Sequence, residues 1–323
     1  MRTDENMSMN QHNEFASALC AEEAPSKARF LGLCYIPAKR PFLHSFLGNK
    51  LVLIACLLLL VIACCAVFAP WVAPVDPLEQ TLKARLRPPV WNKDGTRPYY
   101  LGTDSLGRDV LSNNIYGLRV SMAVGFLSVC LSLLIGVSLG LLAGHARGVW
   151  ETIIMRAVDV QLSLPIIMLA LCFMVMFGQG LYKMIIVLAI TGWAEYARTV
   201  RSMVLSIREK EYLESAYALG LSPITIMVKY LLINSITPVL ILSAVQVPRM
   251  IMLEASLSFL GLGVPVTTPS LGLAIARGYE VLFSGSWWVS IFPGVALMIL
   301  VSCINILADW LRDALEPRSR EQV

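Results

Sequence analysis

The chain has 323 residues, 57% of them apolar and only 15% charged, with a mean hydropathy of +0.68. A soluble domain carries about a quarter charged residues, so the apolar excess is solvated by lipid and a soluble fold is excluded. The formal charge of +4 reflects membrane topology, not a nucleic-acid footprint.

Residues 1–49 form a polar N-terminal tail, and 1–28 have the composition of a disordered segment. No apolar stretch of the kind found in a cleavable signal peptide precedes Leu51. Leu51–Ala69 is free of charge and approaches the roughly 20 helical residues that cross about 30 Å of hydrocarbon. It is expected to be an uncleaved anchor, and the first transmembrane helix is assigned to 50–72.

A long loop, 73–119, follows. It is punctuated by Pro74, Pro77, Pro88, Pro89 and Pro98 and ends in the run LGTDSLGRDVLS, Leu101–Ser112. Gly102 and Gly107 suggest turns. Leu111, Ile115 and Leu118 recur at helical spacing and predict a short amphipathic helix on the outer membrane face. Two roles fit it: an interfacial element that aims the next span, or a lip that docks an outer partner.

The core, 120–308, is expected to hold five further spans. Val120–Leu142 is charge-free, and Gly136, Gly140 and Gly144 mark a face that another backbone can approach closely. Val160–Phe177 is slightly short and contains Pro165. Met184–Val204 carries Glu195, Arg198 and Arg201. Leu231–Leu262 contains Pro238, Pro248, Arg249 and Glu254, and Trp287–Ala308 is again free of charge. The expected fold is an all-α integral membrane protein of six transmembrane helices, with 309–323 as a C-terminal tail. An even count puts both termini on one side. Lys39, Arg40, Lys50, Arg147, Arg156, Arg208, Lys210, Lys229 and Arg312 assign that side to the cytoplasm. None of the eight cysteines falls in an outer loop, so no disulfide framework is implied.

Charges inside spans are costly and face protein or water. Glu195 and Arg198 are spaced to compensate each other on one helix face, and Arg198 and Arg201 are also placed to snorkel. Arg249 and Glu254 lie about 140° apart around a helix and do not pair, so each needs a partner elsewhere. Glu195, Arg249 and Glu254 are therefore candidate pathway residues, with Arg249 placed to meet a substrate carboxylate.

The cytoplasmic loop 206–230 is the most informative stretch. Tyr212, Ala216 and Leu219 share one helix face, with Glu211 and Glu214 elsewhere. Gly220 is suited to end that helix in a left-handed conformation. Ser222 as N-cap and Pro223 at the first helical position then start another. A helix–glycine–helix unit with an apolar face needs cover, from the bilayer or from a protein groove.

Glu214, Ala216 and Gly220 resemble the E-A-A-x-x-x-G motif of the membrane subunits of ABC importers, with Ser215 for the middle alanine and Ile233 where a proline is usual. Three more runs are similar to the peptide/nickel branch of that family: Leu101–Ser112; LEASLSFLGLG at Leu253–Gly263; and DWLRDALEPR at Asp309–Arg318. The resemblance covers about residues 40–318. It implies a type I importer permease fold in the bacterial inner membrane. It also implies that Tyr212, Glu214, Ala216, Leu219 and Gly220, in the 209–230 loop, seat on a cytoplasmic ATPase. The implied partners are a second homologous membrane subunit, two such ATPases and an extracytoplasmic solute-binding protein. The long first outer loop suits the second membrane subunit of a dipeptide or oligopeptide system; nickel complexes and opines use the same branch. ATP and Mg²⁺ would be used by the ATPases, with no cofactor in this chain. No Gly-x-x-x-x-Gly-Lys-[Ser/Thr] run is present, and His12, His44 and His145 lack metal-ligand spacing, so neither catalysis nor metal binding is expected. A self-powered secondary transporter, using the intramembrane Glu and Arg for ion coupling, is the competing class.

Overall fold

The computed structural model describes residues 48–92, 95–146, 148–213 and 220–315. Among these the regular structure is helical, and one isolated bridge joins Thr103 to Asp109. Helix α1, Lys50–Val67, starts at Asn49, whose side chain accepts from the Leu51 amide at 3.2 Å. Only a narrow strip, including Val52, Ala55 and Ala66, is buried, while Leu53, Ile54, Leu57, Leu60 and Val61 face outward. An exposed apolar row of this kind marks a face covered by lipid or by another protein chain.

Helix α2, Val110–Ala146, runs 37 residues without a break. The amphipathic stretch predicted around Leu111–Leu118 is thus the first turns of this helix and not a separate surface element. Ile115 and Leu118 are buried, and Leu118 packs in one cluster with Leu271 and Leu297. That cover comes from distant sequence, which helical periodicity does not reveal.

Helices α3, Val149–Ser163, and α4, Ile166–Phe177, meet at a bend of 100°. The expected span Val160–Phe177 is therefore not one straight helix. Proline drives the residue before it out of the helical region, and Leu164 is extended at ψ 140. Helix α5, Leu181–Arg208, has 28 residues and is about 42 Å long. Helix α6, Pro223–Phe259, includes a π-helical stretch at Ile226–Leu232 and accommodates both Pro238 and Pro248. Helices α7, Leu271–Leu282, and α8, Trp288–Leu315, complete the described fold.

By length and composition α1, α2, α6 and α8 can each cross a membrane, and the bent α3–α4 pair can supply a fifth span. Helix α5 has the length, but Glu195, Arg198 and Arg201 lower its apolar character. Its buried face packs along α2. A Cβ added at Gly136 would sit 2.4 Å from Tyr196 Cβ, and one at Gly140 would sit 2.7 Å from the Ala197 carbonyl oxygen. The glycine face read from the sequence is therefore a backbone-on-backbone seam. Ser132 Oγ extends it by donating to the Ala189 carbonyl at 3.1 Å.

Candidate functional site

Three polar constructions stand out in this apolar bundle. On the side of the α5 C-terminus, Arg208 donates to the Gly144 and His145 carbonyls at 2.9 and 3.1 Å, capping α2. Beyond it Leu213 is fully buried, whereas Tyr212 is 40% exposed. Partial burial pushes the Tyr212 phenol above its ordinary value. Gly220 has φ +71, and among the described residues nothing lies within 4 Å of where its Cβ would be. The next helix starts as the residue types dictate: Ser222 accepts from the Thr225 amide at 3.3 Å, and Pro223 occupies the first turn. Ile226 is buried, but Ile224 and Val228 are exposed. Glu214, Ala216 and Leu219 lie outside the described residues. Around the turn, Tyr212, Ile224 and Val228 are exposed.

The second construction lies midway along α5. Glu195 does not pair with Arg198. One carboxylate oxygen accepts from Arg249 at 2.5 Å and the other from Gln246, both on α6. Arg198 instead pairs with Asp159, and Arg201 Nε donates to Glu151 at 3.0 Å, so both arginines fasten α5 to α3. Gln161 supports the same junction by donating to the Ile190 and Thr191 carbonyls. The i, i+3 spacing permitted an intrahelical pair, but the tertiary partners prevail. Gln246 was invisible as a partner because its distance from Glu195 in sequence conceals the contact.

Glu254, grouped with these residues from sequence, has a different place. It is fully buried and accepts from Ser121 at 2.7 Å, Ser258 at 2.8 Å and Ser270 at 3.1 Å. Ser270 also caps α7 by accepting from the Leu273 amide. Glu254 therefore ties α2, α6 and the start of α7 together and lines no open surface. Glu254→Ala would strand three hydroxyls, at about 1–3 kcal/mol for each buried group left unsatisfied. The thermal midpoint of the detergent-solubilised protein is expected to fall sharply for Glu254→Ala and much less for Glu254→Gln.

The third construction is the Leu101–Ser112 run. Gly102 and Gly107 have φ +83 and +76. Asp104 accepts from the Leu106 and Arg108 amides at 2.8 and 2.9 Å, and Asp109 caps the start of α2 by accepting from the Ser112 amide at 2.8 Å. Trp288 Nε1 donates to the Thr103 carbonyl at 3.2 Å. This knot fixes the proline-rich segment to the beginnings of α2 and α8.

Long apolar helices, outward-facing aliphatic rows and a glycine seam define a multi-pass membrane protein. A family model described as "binding-protein-dependent transport system inner membrane component" matches residues 136–321, and one for the N-terminal transmembrane domain of oligopeptide transport permease C matches 40–89. The chain is 39% identical to the di/tripeptide transport system permease protein DppC of Pseudomonas aeruginosa, over 88% of this chain and 94% of that one. It is 36% identical to the dipeptide transport system permease protein DppC of Escherichia coli, over 87% and 93% of the two chains. Against the oligopeptide transport system permease protein OppC of Bacillus subtilis the identity is 33%, over 85% and 88%. The chain belongs to the family of binding-protein-dependent transport system inner membrane components. It is a multi-pass permease subunit of the bacterial inner membrane, and its family is one of membrane subunits, not of catalytic chains.

Proposed function

We propose that this chain is one of two homologous membrane subunits of an ATP-driven peptide importer and forms half of the translocation pathway. The observation that carries this reading is the turn at Gly220, a left-handed glycine flanked by exposed apolar side chains. A partner groove is the natural cover. Two cytoplasmic ATPases take that role, seating on 209–230 through Tyr212, Glu214, Ala216, Leu219 and Gly220. ATP and Mg²⁺ belong to those ATPases, and this chain carries no cofactor of its own. A solute-binding protein delivers cargo on the other side. The di-, tri- and oligopeptide systems of the relatives support peptides as that cargo.

Taking α3–α4 as one crossing and α5 as another gives six, with both termini in the cytoplasm. Glu195 and Arg249 line the pathway. Closure of the ATPases would displace the 209–230 loops and tilt the attached helices between outward- and inward-open states.

Reconstitution tests this reading. The chain alone in proteoliposomes should move no dipeptide under a proton or sodium gradient. With both membrane subunits, the ATPases and the binding protein present, uptake should begin on adding ATP. Gradient-driven uptake by the chain alone would establish a secondary transporter instead.

A further inference from the structure

The Glu195–Arg249 pair sits where a charge is hardest to place. Glu195 is about 20 Å from either end of α5, so with α5 taken as a crossing the pair lies near its middle. Yet the two side chains are 44% exposed for Arg249 and 28% for Glu195. A half-exposed ion pair at that depth cannot face hydrocarbon and must face water or protein. On the same face of α6, Val245 and Met252 lie about one turn either side of Arg249 and are also exposed.

The hydrogen bonding of the pair is asymmetric. Both oxygens of Glu195 are occupied, one by Arg249 Nη1 and one by Gln246 Nε2. A guanidinium carries five N–H donors in a planar fork. Among the described residues only Glu195 accepts from Arg249, so the rest of the fork is open. The acid is fully engaged, whereas the base has donors to spare.

Resting on the pathway reading above, we propose that Arg249 is a carboxylate station. Its open edge receives the C-terminal carboxylate of a passing peptide while Nη1 stays on Glu195. Val245 and Met252 offer apolar contact to the adjoining side chain. Glu195 has a definite task in this arrangement. A lone arginine in a low-dielectric channel would hold an anion too tightly to release it. With Glu195 paired, the site is close to neutral, so a carboxylate is attracted by hydrogen bonds and leaves readily. A transport site must be favourable enough to enter and weak enough to leave.

The two partners therefore have opposite effects on peptide binding, which a merely structural salt bridge would not produce. The test uses the two membrane subunits with their ATPases in lipid nanodiscs, without the binding protein, and radiolabelled dialanine at equilibrium. Glu195→Gln should tighten dialanine binding by roughly tenfold, the scale of one charge-assisted interaction. Arg249→Gln should weaken it, and the double variant should resemble Arg249→Gln. Dialanine amide, which lacks the carboxylate, should fail to compete in Glu195→Gln. Shifts in the same direction for both single variants, effective competition by the amide, or no measurable binding to Glu195→Gln would each overturn the station. The pathway reading is checked separately by Arg249→Cys in a chain otherwise lacking cysteine. Labelling by a water-soluble thiosulfonate keeps that reading even if the station fails. Complete protection in both nucleotide-free and ATP-bound complexes removes both.

Discussion

Gly220→Val is expected to reduce ATP-driven uptake by tenfold or more while leaving the amount of chain in the membrane unchanged. Two costs combine. At φ +71 an L-residue is strained by about 1–2 kcal/mol, and a β-branched one fits worst. Among the described residues the Cβ position is open, so the added methyl groups are expected to leave the packed helices undisturbed and to project where the ATPase would sit. A shift of about 1.4 kcal/mol is already tenfold in an equilibrium. Gly220→Ala carries the backbone strain with little of the bulk and should fall between wild type and valine. Co-purification of the ATPases and peptide-stimulated ATP hydrolysis would measure the effect. Wild-type coupling in the valine variant would mean that this turn is not the seat.

Gly136→Leu should be strongly damaging to the bundle. The first added carbon meets Tyr196 Cβ at 2.4 Å and the Trp193 carbonyl oxygen at 2.5 Å, neither of which is the movable end of a side chain. Relief requires α2 and α5 to separate along the glycine face, where a Cβ added at Gly144 would also meet Val204 Cγ1 at 2.6 Å. Overpacking by a methylene or two costs about 1–3 kcal/mol in soluble cores. A leucine here exceeds that and is expected to yield no monodisperse protein in detergent, while Gly136→Ala lowers the thermal midpoint. Gly294→Ala is the control: its Cβ would meet nothing within 4 Å among the described residues, and its midpoint should stay the same or rise slightly. An unchanged midpoint for Gly136→Ala would show that the seam has slack.

Features set by short-range chemistry were legible in the sequence. Gly220, Ser222 and Pro223 adopt the conformations their residue types favour, and the spacing of Gly136, Gly140 and Gly144 marked a close helix contact before any partner was known. Long charge-free segments likewise located α1, α2 and α8. What stayed hidden depends on distant partners. Leu111–Leu118 has the periodicity of a surface helix, and only the residues that cover it merge it into α2. Glu195 and Arg198 have a spacing suited to each other, yet each finds a partner on another helix. Glu254 and Arg249 looked alike as unpaired intramembrane charges. Three serines from three elements enclose the first, and the second is left half exposed.

The contacts of α5 are unequal in stiffness, and this fixes where the molecule can flex. Against α2 it is joined along a glycine face where the two backbones approach closely, so the two helices are expected to move as one beam. Against α6, near its midpoint, it is held through the long, rotatable arms of Glu195, Gln246 and Arg249. Residues 209–213 continue directly from the end of α5. A push delivered there is expected to swing the α2–α5 beam as a unit, with motion taken up at the long side chains of the ion pair between α5 and α6.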